Sequence, residues 1–76
     1  MAYSNKLLGA RLREARTATG LTQRQLALRA GGFPYQVVCC LERGHQGVSA
    51  ERIAQIATAL DVSTDWLLGL SEVWAR

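Results

Sequence analysis

Apolar residues recur at helical spacing over most of the chain. Leu8, Leu12 and Ala15 stand at positions i, i+4 and i+7, which places them on one face of a helix. Gly20 follows, and glycine readily takes the left-handed conformation that ends many helices. This pattern predicts a first amphipathic helix over residues 5–19.

Two short helices are predicted next. Thr22 and Gln25 have the spacing of a capping box, in which each side chain bonds the other residue's backbone N–H, so a second helix is predicted over residues 22–30. Two glycines then break this helix. Pro34 fixes its own φ and suits the first turn of a third helix, which is predicted over residues 35–43.

The second half of the chain carries the clearest apolar stripe. Ser49 is a good N-cap for a fourth helix, whose core face is formed by Ile53, Ile56, Ala57 and Leu60. Ser63 is the predicted cap of a short fifth helix. Because no segment has a convincing strand pattern, the sequence predicts an all-α fold, a compact domain of five helices.

The size and cysteine content of the chain narrow the class of protein. Its 76 residues suit one small domain, and no apolar run approaches the roughly 18 residues that cross a membrane. The segment Met1–Leu8 lacks the apolar stretch of a signal peptide. Cys39 and Cys40 are adjacent, so they cannot form the disulfide framework of a small secreted domain. We therefore expect a soluble, cytoplasmic protein.

Residues for catalysis or metal binding are sparse. A structural zinc site needs four converging ligands, and two neighbouring thiols with the single His45 fall short of that set. No serine, aspartate or second histidine is placed by the sequence to work with His45 as a catalytic base. We expect no metal, no cofactor and no enzymatic activity.

Charge is distributed unevenly along the chain. Residues 1–48 carry seven positive and two negative side chains, a net charge of +5, whereas residues 49–76 have a net charge of −2. The basic half is where a polyanion such as DNA would dock. On charge alone, a basic surface that merely keeps the protein soluble fits equally well.

Three stretches of the sequence resemble a known family. GLTQRQLA at 20–27, LERG at 41–44 and IATALDVSTDWLL at 56–68 closely resemble the phage repressor and Cro-type helix-turn-helix proteins, in register from about Leu8 to Leu68. Members are mainly transcription repressors and related regulators that bind inverted-repeat operators as dimers. The resemblance implies a fold of the repressor type with a central helix-turn-helix, whose second helix enters the DNA major groove.

The resemblance also implies roles for particular residues. Gln23 matches the position that opens the second helix and contacts a phosphate. Arg16 and Glu42 match a structural ion pair between the first helix and the end of the third. The recognition-helix positions that reach base edges are matched by Tyr35, Gln36 and Cys40.

General chemistry adds to these roles. Gln36 can bond an adenine edge through both ends of its amide, and Val37 can pack on a thymine methyl group. Phosphate contacts position a protein without reading sequence, and we expect them from Gln23, Arg24, Arg43, His45 and Gln46. An ordinary exposed helix start is the alternative for Tyr35 and Gln36.

The chain departs from the family pattern in two respects. The stretch from Gln23 to Glu42 is one residue longer than usual, and we expect the extra residue at Gly31–Gly32, which leaves the tilt of the recognition helix open. This helix is also unusually apolar, so specificity is expected to rest on methyl contacts and DNA shape. Oxidation of Cys39 or Cys40 would block docking, but a packing role for these small side chains is the preferred interpretation.

The predicted DNA-binding domain covers residues 1–69 and is followed by a tail of residues 70–76. Leu70, Val73 and Trp74 form an apolar edge at i, i+3 and i+4. This edge either packs on the domain or seals a homodimer, and the dimer is favoured.

The sequence therefore predicts a regulator that binds double-stranded DNA, most simply a repressor acting as a homodimer. The alternative is a protein-interaction module, such as an antitoxin or an accessory factor of a phage or mobile element, in which DNA binding is weak or secondary. The operator, any inducer, and whether the chain is a piece of a longer protein are left open.

Overall fold

Five α-helices make up most of the computed structural model, which describes residues 4–75. They are α1 (Asn5–Thr19), α2 (Gln23–Ala30), α3 (Tyr35–Glu42), α4 (Ala50–Leu60) and α5 (Thr64–Leu67). Residues 4–75 contain no β-strand, only an isolated antiparallel bridge between Val62 and Ala75. The predicted all-α fold of five helices is confirmed. Of the helices in this part of the chain, none is long and apolar enough to span a membrane.

Side-chain caps determine where four of the helices begin. The predicted capping box is present: the Thr22 hydroxyl accepts from the Gln25 backbone N–H at 3.1 Å, and the Gln25 side-chain oxygen Oε1 accepts from the Thr22 backbone N–H at 2.9 Å. The hydroxyls of Ser4, Ser49 and Ser63 each accept from one backbone N–H in the first turn of α1, α4 and α5. Helix α3 differs, because Pro34 is its N-cap residue and not part of its first turn. The ψ of Pro34 is 140°, which is extended and incompatible with a helical turn.

The predicted apolar stripes form the core. Each of the stripe residues is at most 7% exposed, and these residues are Leu8, Leu12, Ala15, Ile53, Ile56, Ala57 and Leu60. Helix α3 packs against both α1 and α2 and contributes Val38 and Leu41 to the same core. Of the eight residues of α3, two are buried, Gln36 is exposed and the others are partly exposed, so part of this helix remains accessible to a partner.

Helices α1 and α3 cross at a point where only glycine fits. A Cβ atom built on Gly9 would lie 2.4 Å from the backbone oxygen of Leu41 and 2.7 Å from that of Glu42. These are backbone atoms of α3, so they cannot rotate away as a side-chain end would. The absence of a side chain at Gly9 therefore sets the distance between the two helices.

We expect the substitution Gly9→Ala to lower the free energy of unfolding by about 1–3 kcal/mol, because the added methyl group must push α1 and α3 apart. Denaturant unfolding followed by circular dichroism measures the change. The control is Ala10→Gly on the exposed neighbour, which should cost only helix propensity, about 1 kcal/mol. A Gly9→Ala variant as stable as the unmodified protein would show that the helices separate without cost.

The C-terminal segment folds back onto α1 and α5. One Arg11 nitrogen, Nη1, donates to the backbone oxygens of Trp66 at 2.5 Å and Ser71 at 2.9 Å. The Trp74 ring lies 4.5 Å from the Trp66 ring, centroid to centroid, and the Trp74 carbonyl accepts from the Ser63 N–H at 2.9 Å. Trp74 thus packs on its own domain. This is the alternative that the sequence analysis considered beside the favoured homodimer contact.

The other two residues of the predicted apolar edge are not covered. Leu70 is 54% exposed and Val73 is 65% exposed. Their part in a homodimer stays a prediction, as does the division of the chain at residues 69 and 70. Residues 1–3 of the predicted domain and residue 76 of the predicted tail lie outside the described part of the chain.

Candidate nucleic-acid interface

The predicted helix-turn-helix is formed by α2, a four-residue turn and α3. The backbone reverses at Gly32, which has a left-handed φ of 78°, whereas Gly31 has an extended φ of 166°. Glycine takes the left-handed conformation without steric cost. The turn therefore needs glycine at position 32. Gly32 belongs to the Gly31–Gly32 pair, where we expected the residue that makes this chain longer than the family pattern.

Helix α3 presents the four residues predicted to read bases outside its buried face. Gln36 is exposed, and Tyr35, Val37 and Cys40 are partly exposed. Tyr35 and Val37 also pack against the edge of the core, which limits their freedom. An α-helix fits the DNA major groove, which is about 12 Å wide, so a helix exposed in this way has the right shape to enter it.

An ion pair joins α1 to the end of α3. Arg16 Nε lies 2.5 Å from one carboxylate oxygen of Glu42, and Arg16 Nη2 lies 3.1 Å from the other. The remaining Arg16 nitrogen donates to the backbone oxygen of Leu21 at 2.8 Å. The side chains of Arg16 and Glu42 are only 13% and 6% exposed. Such a buried, bidentate pair holds the C-terminal end of α3 against α1.

Gln23 belongs to the same network. Its Nε2 donates to a Glu42 carboxylate oxygen at 3.1 Å, which ties the first residue of α2 to the last residue of α3. No pattern in the sequence points to this contact, because the two residues are distant along the chain. An amide already held in place loses less freedom when it binds a phosphate, which favours the predicted role of Gln23.

Two arginine–aromatic stacks hold the region around the turn, and sequence reasoning found neither. The Arg24 guanidinium lies 4.3 Å above the centre of the Tyr35 ring, which links α2 to the first residue of α3. The Arg52 guanidinium lies 4.0 Å above the Phe33 ring, which links α4 to the turn. Each contact of this kind contributes about 0.5–1 kcal/mol at an exposed site, so together they help to orient the recognition helix.

The residues predicted to contact phosphates precede and follow α3 along the chain. Gln23 and Arg24 begin α2, whereas Arg43, His45 and Gln46 follow α3 and are all exposed. Four of these five share shallow grooves with residues of α3, and His45 lines none of the three grooves. Gln23 and Arg43 line one groove with Cys39, Arg24 lines another with Tyr35 and Gln36, and Gln46 lines a third with Val37. We call the residues named for these three grooves the α3 surface.

Comparison with protein families and solved structures agrees with this geometry. The family model described as helix-turn-helix matches residues 12–67. The restriction-modification controller protein C.AhdI from Aeromonas hydrophila is 43% identical, with a TM-score of 0.77 over 83% of this chain and 94% of that chain. The P22 c2 repressor, solved in complex with a synthetic operator, is 25% identical, with a TM-score of 0.78 over 84% of this chain and 96% of that chain.

A curated relative gives a similar result. A protein from Rhodospirillum rubrum, named as an uncharacterized transcriptional regulator in the ATPase CF(0) region, is 42% identical over 59 residues. The match covers 78% of this chain and 54% of that relative. The chain therefore spans about half the length of the curated relative it matches.

Proposed function

The chain belongs to the helix-turn-helix family, and on that premise we propose that it is a cytoplasmic, DNA-binding transcription regulator. The observation that carries the proposal is the α3 surface. A helix of suitable size, with Gln36 exposed and Tyr35, Val37 and Cys40 partly exposed, shares grooves with Gln and Arg side chains that can bond phosphates. The surface lies in the half of the chain whose net charge is +5.

The solved relatives support the same assignment. C.AhdI is a controller protein of a restriction-modification system, and the P22 c2 protein is a repressor bound to a synthetic operator. Both share the fold of this chain over more than four-fifths of its length, at 83% and 84%. The family is one of DNA-binding regulators and not a class of enzymes.

We further propose that the protein represses transcription as a homodimer on an inverted-repeat operator. Two copies related by a twofold axis would place their α3 helices in successive major grooves, about 34 Å apart. Leu70 and Val73, which are 54% and 65% exposed, are apolar side chains suited to a contact between copies.

Selection of duplexes from a random DNA library at near-physiological salt, followed by sequencing, tests this function. We expect an enriched inverted repeat, whose two half-sites are bound by two chains in a band-shift assay. Phosphate contacts release counterions, so the affinity should fall steeply as salt is raised. If no sequence is enriched and only weak, salt-labile binding is seen, sequence-specific regulation is ruled out.

A second candidate function is a protein-interaction module, and one observation favours it. Leu28 on α2 is 75% exposed and lines a groove of about 440 Å³ together with Phe33, Pro34 and Tyr35. Exposed apolar side chains beside a groove are typical of protein contacts. The Arg24 and Arg43 variants described in the Discussion separate the two functions.

A further inference from the structure

A groove of about 290 Å³ opens where α1, α2 and α3 meet. Two of its lining residues come from α1, one from α2, two from α3, and one directly follows α3. The residues that line it are Arg13, Arg16, Gln23, Cys39, Glu42 and Arg43.

The charges in this groove do not balance. The Glu42 carboxylate is neutralised by Arg16, which it bonds through both oxygens. Arg13 and Arg43 are exposed, and their guanidinium groups have no hydrogen-bond or ion-pair partner among residues 4–75. Two positive charges therefore face the groove with no compensating anion from the described residues.

The polar groups in the groove suit an anion with several acceptor oxygens. Gln23 Nε2 donates one hydrogen to Glu42 at 3.1 Å and has a second hydrogen to offer. A guanidinium group presents a planar fork of donors that matches two oxygens of a phosphate. Arg13 from α1 and Arg43 from the end of α3 thus flank a Gln23 amide that is already oriented.

We propose that this groove binds one phosphate of the DNA backbone, and that Arg13 is a phosphate contact of the protein. The site rests on the proposed function, and it extends the DNA-binding surface from α2 and α3 onto α1. Arg13 belongs to the basic half of the chain, but no motif in the sequence points to a contact for this residue in particular. The position of Arg13 beside Gln23 and Arg43 depends on how α1 packs across α3.

The first test compares salt dependence between matched variants. The probe is the duplex enriched in the selection experiment or, if none is enriched, a random-sequence duplex of 20 base pairs. Arg13→Ala should reduce the slope of log affinity against log salt by about 0.9 and weaken binding roughly five- to tenfold at about 0.1 M salt. Arg13→Lys keeps the charge and should retain most of the slope.

Arg29→Ala is the control, because Arg29 is an exposed arginine on α2 that does not line the groove. It removes the same charge and should leave the slope unchanged. If Arg13→Ala and Arg29→Ala have equal slopes while the unmodified protein binds DNA, the groove is not a phosphate site, and the proposed function stands. If the unmodified protein shows no salt-dependent DNA binding, both proposals fall.

Replacing single backbone phosphates of the duplex by neutral methylphosphonates locates the contact. One replacement should weaken binding of the unmodified protein several-fold and weaken Arg13→Ala clearly less, because one of the two guanidinium contacts of that phosphate has already been removed. The same replacement should weaken Arg29→Ala as much as the unmodified protein. Equal losses at every phosphate in Arg13→Ala and in the unmodified protein would overturn the assignment.

Discussion

The substitution Glu42→Ala is expected to lower the free energy of unfolding by about 3 kcal/mol or more, the largest effect of any single change considered for this protein. Glu42 accepts hydrogen bonds from Arg16 Nε and Nη2 and from Gln23 Nε2. Its removal leaves the Arg16 charge, which is only 13% exposed, without its anion. For a chain of this size, about 3 kcal/mol corresponds to a thermal midpoint lowered by about 12–24 °C.

The control is the double variant Arg16→Met with Glu42→Leu. It removes both charges and keeps apolar volume at the contact between α1 and α3. We expect it to be more stable than Glu42→Ala, because no buried charge is stranded. Urea unfolding of the three proteins measures the difference. A double variant less stable than Glu42→Ala would mean that the pair contributes through direct attraction and not mainly by compensating buried charge.

The double variant Arg24→Ala with Arg43→Ala is expected to weaken DNA binding roughly 50-fold at about 0.1 M salt and to reduce the salt slope by about 1.8, because two phosphate contacts are lost. The two arginines line different grooves and share no partner, so their contributions should be nearly additive. Band-shift titrations over a range of salt concentrations provide the measurement.

Arg29→Glu changes the net charge by the same amount as the double variant, at an exposed position of α2 that lines neither the Arg24 groove nor the Arg43 groove. Its salt slope should stay close to that of the unmodified protein. If the double variant and Arg29→Glu lose equal affinity, the effect is one of overall charge, and Arg24 and Arg43 are not phosphate contacts. Arg24 lines the Leu28 groove and Arg43 does not. Arg43→Ala alone should therefore weaken DNA binding but leave capture of a protein partner at Leu28 unchanged, which separates the second candidate function.

The family and the general position of the interface were accessible from the sequence because they depend on local spacing. The capping box at Thr22, the proline before α3 and the stop at Gly20 each act within one helical turn. Helical periodicity identifies Val38 and Leu41 as core residues of α3. The same periodicity places the predicted base contacts outside this buried face.

Contacts between distant residues were not accessible in the same way. The stacks of Arg24 on Tyr35 and of Arg52 on Phe33 depend on side-chain conformations and on the path of the turn. The return of Trp74 to Trp66 depends on Arg11, which holds the tail from α1. Long side chains have many rotamers, and their choice is made by the surrounding packing.

The sequence by itself determined the five helices, their caps, the core stripes and the family, because these follow from periodicity and from interactions between residues a few positions apart. The resemblance already implied the ion pair of Arg16 with Glu42, which the structure contains. Only the tertiary structure decided that Arg13 and Arg43 face one groove without a partner among residues 4–75. The close crossing of α1 and α3 at Gly9 brings Arg13 and Arg43 to the same groove. Their separation along the chain does not predict this proximity.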